Sequence, residues 1–229
     1  MHNISQRQKK RLIENATGLK QGSLLDLGSG TGAFVHEMQQ AGWQVTGLEP
    51  DADARKKANE LFNVRLENTG NFYDLPSSAF DAITLWHVLE HVHDLHGYME
   101  NLRSVLKDNG RVIIAVPNYT SMDAGIYKEF WAAYDVPRHL YHFSPSSMQA
   151  LMDKHGLKLI AQKPMWYDSF YISMLSSKYK HGRTNLLTSF FIGLRSNLNA
   201  WGDVKRCSSV IYIASLPSKG GFLESSNFL

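Results

Sequence analysis

The stretch Leu24 to Phe34, LLDLGSGTGAF, constrains this chain more than any other eleven residues. An apolar run is cut off by Gly28, and Gly28, Gly30 and Gly32 then alternate with Ser29 and Thr31. The run reads as a short buried strand, and residues 32–42 have helical spacing ending in Gly42. Glycine at a strand-to-helix turn supplies backbone angles that other residues reach only with strain. It also lets a ligand lie directly on the main chain, where the free N–H groups of the following helix point at it. The turn therefore predicts a cofactor pressed against the tip of the first strand, in the crevice where open α/β sheets bind ligands.

The remaining elements repeat this alternation. Residues 5–20 are polar and helix-prone. Strands are expected at 23–28, 44–50, 80–88, 111–118, 157–164 and 208–216, with the last a candidate for antiparallel pairing. The strand at 80–88 is expected to run on into a helix. Helices are expected at 32–42, at 51–62 under an Asp51 cap, at 98–110 with Gly110 as stop, and at 144–156. In the last of these Ser144 caps, Pro145 takes the first helical position and Gly156 ends the helix. The pattern is that of a mostly parallel sheet covered on both faces. Residues 166–205 break the rhythm: WYDSFYISML and NLLTSFFIGL read as a helical insertion before the last strand. The expected organisation is an N-terminal helix (1–20), one α/β domain (21–216) and a tail (217–229) with little to hold it down.

A net charge of +3, carried by basic residues that are scattered apart from two clusters, Arg7 to Arg11 and Arg55 to Lys57, read as solvated helix faces, argues against a nucleic-acid-binding face. The single cysteine, Cys207, excludes an internal disulfide and suits a reducing compartment. The first dozen residues, MHNISQRQKKRL, lack the apolar segment of a signal peptide, and no apolar run approaches the ~20 residues of a membrane span. The resulting expectation is a cytoplasmic protein with no integral membrane span.

Three cofactor classes compete for the glycine turn. A phosphate-binding P-loop needs Lys and Ser or Thr after its last glycine, whereas Ala33 and Phe34 follow here. A dinucleotide fingerprint is met literally by Gly28, Gly30 and Ala33, so an NAD-linked oxidoreductase stays open. The third class is S-adenosylmethionine (SAM). LLDLGSGTGAF, followed by VTGLEP and FDAITLWHVLEHV, resembles the class I SAM-dependent methyltransferases. The likeness is to the branch that holds ubiquinone-biosynthesis O-methyltransferases and many small-molecule enzymes, and it covers residues 20–160 or so.

That resemblance implies a Rossmann-like, seven-stranded sheet with the last strand reversed, and SAM as cofactor. It implies that Asp26 lies near the methionine amino group and that Gly28, Ser29, Gly30 and Gly32 touch the methionine and ribose portions. Glu49, next to Pro50, would accept from both ribose hydroxyls, a task for which a carboxylate is suited as a pure acceptor. Asn71 and Phe72, in TGNFYDLP, fall in the adenine segment, with Asn71 where the family often has Asp. Leu85, Trp86 and His87 would wrap the methionine end.

The run HVLEH places His87, Glu90 and His91 at the spacing of one group of zinc peptidases. A peptidase would explain neither the glycine turn nor Glu49. On a helix these three residues would share a face and could hold a divalent ion; the alternative is that Glu90 and His91 only stabilise a helix start. Methyl transfer to a hydroxyl is helped by a general base, and histidine suits that role at neutral pH. His87, His91, His139 and His142 are the candidates, with His139 preferred. His139 and His142 lie in FWAAYDVPRHLYHFSP (130–145), read as a lid or acceptor wall and similar to the acceptor-side segment of the same family. An NPPY-type signature is absent, which argues against adenine or glutamine N-methylation. The aromatic residues of 166–205 suggest a small-molecule acceptor with an apolar part, capped by this segment. A homodimer contact, a membrane-surface contact or simple completion of the core are the other uses for it. The expected activity is SAM-dependent methylation of a hydroxyl oxygen; a non-catalytic SAM-binding module is the remaining alternative.

Overall fold

A computed structural model describes residues 2–182, 192–194 and 203–217. The expected alternation is there: β1 (Ser23–Leu27), β2 (Gln44–Leu48), β3 (Phe80–Trp86), β4 (Leu106–Pro117), β5 (Lys158–Pro164) and β6 (Ser209–Ser215) form one sheet in the order β2-β1-β3-β4-β6-β5. The first four strands run parallel, and β6 enters antiparallel between β4 and β5. The strand order reverses direction between β1 and β3, so their carboxyl ends flank a topological switch point.

Where seven strands were expected, six are formed among the described residues. The outer edge beyond β2 carries only a single parallel bridge, Leu48 to Glu67. Glu49 N–H donates to the Glu67 carbonyl and Glu67 N–H to the Gly47 carbonyl, each at 2.9 Å, and the pairing extends no further.

Period-two alternation along the strands divides the core between the two faces. Leu24, Ala82, Ile113, Ala115, Ile211 and Ile213 face one side, against Ile13 of α1 (His2–Thr17) and Phe34 and Met38 of α2 (Ala33–Gln40). Leu25, Leu27, Ile83, Leu85, Val112 and Ile114 face the other, against α4 (Leu95–Val105) and α6 (Pro145–Lys154). Asp26, Thr84 and Trp86 share the parity of Leu24 and Ala82, so they sit on the α1–α2 side.

Local signals explain most boundaries. Asp51 accepts from the Asp53 and Ala54 N–H groups and caps α3 (Ala52–Phe62). Ser144 and Ser147 form a reciprocal capping box at α6, with Pro145 first. Two boundaries differ from expectation. The helix expected to stop at Gly110 ends at Val105, because Leu106 already pairs with Phe80 where β3 and β4 begin. The strand at 80–88 does not run into a helix: β3 ends at Trp86, His87 turns into the left-handed region (φ 57°), and a 3-10 turn at Leu89–His91 follows.

Past β4 lie α5 (Met122–Tyr127) and two short 3-10 turns, and α7 (Trp166–His181) covers them. Tyr127, Trp131, Ala133 and Ile172 pack together there. α7 realises the first inserted helix. Most of the second, and the end of the tail, lie outside the described residues.

Candidate functional site

The glycine turn reaches the switch point as the sequence requires. Gly28, Gly30 and Gly32 all have positive φ (71°, 54° and 77°). A Cβ on Gly28 would collide with Val88, and one on Gly32 would lie 2.8 Å from Ala58. A Cβ on Gly30 would meet open space, so this glycine borders room for a ligand. Ser29 Oγ donates to the Asp26 carbonyl (2.9 Å) and braces the turn.

Glu49, just past β2, is buried and turned toward that loop. Its Oε2 accepts from Gly30 N–H at 2.7 Å and its Oε1 from Asp51 N–H at 3.0 Å. Each carboxylate oxygen keeps a further lone pair for a ligand hydroxyl. Arg55 donates to the carbonyls of Glu49 and Pro50, fixing the loop behind the carboxylate. Asp26 is buried and accepts from Thr84 Oγ1 at 2.6 Å. Burial pushes its carboxyl up to about 6, against the opposing pull of Thr84 and the Lys9 charge. It is mostly ionised at neutral pH.

Two side chains expected at the cofactor go elsewhere. Phe72 is fully buried, its ring 4.6 Å from Tyr98, and Leu85 is fully buried in the same core. Large apolar side chains on a core-facing parity are drawn inward, so only their backbone can meet a ligand. Asn71 sits on the 3-10 turn Thr69–Asp74 and donates to Glu67 Oε2 at 3.0 Å. Trp86 keeps its place beside the turn, edge-on to Phe34 at 6.0 Å.

The histidines sort themselves by their partners. His87 pairs with Glu90 Oε1 through Nδ1 (3.2 Å) and with Asp168 Oδ2 of α7 through Nε2 (2.7 Å). Burial opposes the charged ring, but Asp168 and Glu90 outweigh it and raise the pKa to about 10. His87 is therefore an imidazolium with both nitrogens engaged, which removes it as a general base and as a metal ligand.

His139 is brought beside Glu90 and His91 by the chain itself, since the N–H groups of Leu140 and Tyr141 both donate to the Glu90 carbonyl. The His91 and His139 rings meet edge-on at 4.6 Å. His91 Nδ1 donates to the Arg138 carbonyl (2.9 Å) and His139 Nδ1 to the Ala133 carbonyl (2.8 Å) when each ring is neutral. That tautomer leaves both Nε2 atoms as acceptors. Burial lowers the His139 pKa by more than the bond to Ala133 restores. Ligand atoms of Glu90, His91 and His139 lie within 4.8 Å of one another, and the buried Glu90 Oε2 has no hydrogen-bond partner among the described residues. His142 lies further out: it is exposed, and its Nε2 faces the Tyr134 carbonyl at 3.0 Å.

Two charged residues at this site escaped sequence reading. Lys9 of α1 reaches Trp86, with its Nζ 4.4 Å from the ring centroid. Its signal was present but faint, because Gln6, Lys9 and Ile13 share one face of a polar helix. Asp168 gave no local signal, since its partner His87 is some eighty residues away in sequence.

The fold and site together define a Rossmann-like domain that takes a nucleoside cofactor at a glycine turn and an acidic strand tip. The chain belongs to the methyltransferase domain family, whose model matches residues 2–162. SAM is accordingly its cofactor, and the donor set at the crevice fits it: an open glycine, a buried acceptor-only carboxylate and a second acid at Asp26. Among similar proteins, the human mitochondrial ubiquinone biosynthesis O-methyltransferase is 25% identical over 64% of this chain and 44% of its own length. The demethylmenaquinone methyltransferase of Tropheryma whipplei is 26% identical over 50% of each chain. The chain thus spans half or less of these curated relatives. A SAM-dependent methyltransferase structure from Archaeoglobus fulgidus aligns over 93% of this chain and 94% of its own, with a TM-score of 0.60 and 17% identity, a likeness of fold. No helix among the described residues is long and apolar enough to cross a membrane.

Proposed function

We propose that this chain methylates a hydroxyl oxygen of a small molecule with an apolar part, using His139 as the base. The observation that carries this reading is the anchoring of the 139–141 segment on the Glu90 carbonyl. It puts a neutral, half-sheltered imidazole next to the turn that leaves β3, the strand flanking the cofactor crevice. Bound SAM supplies a methyl group activated by its sulfonium. The chain has to orient the acceptor, keep water out and remove one proton. His139 Nε2, 3.7 Å from Asp135 Oδ2, is placed to take that proton while Nδ1–H holds the ring on the Ala133 carbonyl. Trp131 Nε1 donates to the buried Asp123 (2.8 Å) and stiffens this acceptor wall. The 119–136 stretch leading into this wall forms a shallow surface cleft of about 660 Å³, lined by Tyr119, Lys128, Tyr134 and Val136 among others. Of the two relatives described above, one is an O-methyltransferase of ubiquinone biosynthesis and the other a demethylmenaquinone methyltransferase, which supports a quinol-type acceptor.

Calorimetry with S-adenosylhomocysteine (SAH) and with NAD tests the cofactor half: SAH is expected to bind one to one and NAD not at all. A screen of catechols, quinols and hydroxy acids for SAH release tests the acceptor half. Tight SAH binding with no release from any of them would favour a non-catalytic SAM-binding module.

The orphan oxygen of Glu90 favours a second reading, in which Glu90, His91 and His139 hold a divalent cation. Two imidazoles and one carboxylate suit Zn²⁺, Co²⁺ or Fe²⁺ better than Mg²⁺. Such an ion would acidify an acceptor hydroxyl and make a separate base unnecessary. Titrating metal-stripped protein with Co²⁺ decides between the readings. Saturable one-to-one binding that is lost in Glu90→Gln supports the metal, and no binding leaves His139 as the free base.

A further inference from the structure

We propose that Asp168, in the first turn of α7, is a positioning residue for methyl transfer: through His87 it holds Glu90, and through Glu90 the segment that carries His139. The inference rests on the reading of His139 as the base.

The path is short, and each step is a contact. Asp168 Oδ2 lies 2.7 Å from His87 Nε2, and His87 Nδ1 lies 3.2 Å from Glu90 Oε1. Glu90 is fully buried, and its carbonyl accepts from the N–H groups of Leu140 (2.8 Å) and Tyr141 (3.3 Å). His139 directly precedes these two residues, so its backbone follows the place where Glu90 is held. Both ends of the path are tied to the sheet. His87 N–H donates to the Ala115 carbonyl of β4 (2.9 Å), and Met165 N–H, at the head of α7, donates to the Ser209 carbonyl of β6 (3.1 Å). Ser209 pairs with Pro117 at the carboxyl end of β4. The ion pair therefore spans a fixed gap at the end of the sheet where the cofactor crevice opens.

Three features set this pair apart from an ordinary ion pair of the fold. His87 holds a left-handed backbone (φ 57°), which residues other than glycine and asparagine reach only with strain. The turn alone would be better served by one of those two, so it is the imidazole that the strain keeps. Val88, the next residue, fills the space that a Cβ on Gly28 would need. The 87–88 turn thus meets the cofactor floor on one side and α7 on the other. The other polar anchors of α7 are small hydroxyl groups: Ser169 Oγ accepts from Ser208 Oγ (3.0 Å) and Ser176 Oγ from Ala132 N–H (2.8 Å). An acid in the first turn of a helix is favourable to the helix dipole by itself, but that effect asks for no partner eighty residues away. What Asp168 adds is the location of the His139 ring relative to the glycine turn, and a misplacement of about 1 Å can cost about 10²-fold in rate.

Asp168→Asn keeps the shape and removes the charge. The His87–Glu90 pair stays balanced in this variant, so the fold is retained. Its kcat is expected to fall about tenfold to a hundredfold, while the acceptor KM and the SAH dissociation constant stay within about threefold. Asp168→Glu, which restores the charge on a longer arm, is expected to recover part of the loss. In the His139→Ala background Asp168→Asn should change turnover by no more than about twofold, because nothing is left to position. A purely structural pair gives a different pattern: a lower melting temperature and fewer SAH-binding molecules, with kcat per SAH-binding molecule unchanged. That pattern overturns the proposal, and so does a loss repeated in full in His139→Ala. Turnover unchanged in His139→Ala alone would instead sink the reading of the base on which the proposal rests.

Discussion

His139→Ala is expected to lower turnover by about 10²–10⁴-fold, the usual contribution of a positioned base, while SAH affinity stays within about twofold. The separation follows from the geometry. His139 is held by the Ala133 carbonyl and by the neighbouring bonds to Glu90, on the acceptor side, and touches none of the groups that face the glycine turn. The pH dependence has a definite sign. Burial sets the His139 pKa below its ordinary 6.5, so the neutral, proton-accepting ring dominates at neutral pH. As pH falls through that lowered value the base is lost, and kcat/KM should drop tenfold per pH unit on an acid limb lying below 6.5. His139→Gln should abolish the limb along with most of the rate. Should turnover in His139→Ala match that of the unaltered enzyme, or the acid limb persist in His139→Gln, the imidazole is not the base.

The sequence carried the fold where the signal was local. Gly28 broke the first strand, Asp51 and Ser144 capped their helices, and the alternation of strand and helix led to the doubly wound sheet. It also carried the cofactor floor, because a glycine turn and an acidic strand tip lie about twenty residues apart within one βαβ unit. It was silent on whatever depends on partners distant in the chain. HVLEH looked helical because apolar and polar residues fall at helical spacing, yet His87 is pulled between Glu90 and an aspartate on α7 and adopts a left-handed backbone. Its apparent fitness as a base vanished with that pairing, which leaves neither nitrogen free. Phe72 and Leu85 carried the family's motif positions, but a motif marks where the backbone passes the ligand and says nothing of which way the side chain turns. The missing edge strand has a similar cause: the Leu48–Glu67 bridge starts a parallel pairing that the 3-10 turn from Thr69 to Asp74 cuts short.

Glu49→Gln should weaken SAH binding by about a hundredfold, and it should weaken 5′-methylthioadenosine, which has the same nucleoside and sulfur without the amino-acid portion, as much. The two carboxylate oxygens each take a backbone donor, Gly30 N–H on one side and Asp51 N–H on the other. An amide offers only one acceptor oxygen, so its NH₂ group must face one of those N–H groups, donor against donor. The loop then shifts, and a ribose diol that needs acceptors on both hydroxyls meets a donor at one of them. Loss of a hydrogen bond to a charged group, together with an unpaired buried donor, accounts for an effect of this size. The nucleoside half of the ligand feels the whole change, because the ribose is common to SAH and methylthioadenosine. Calorimetry on the variant with the two ligands therefore has a fixed pattern: Glu49→Gln lowers both affinities together. If Glu49→Gln spares methylthioadenosine, the ribose does not lie at the tip of β2, and the placement of the cofactor along the glycine turn has to be reversed.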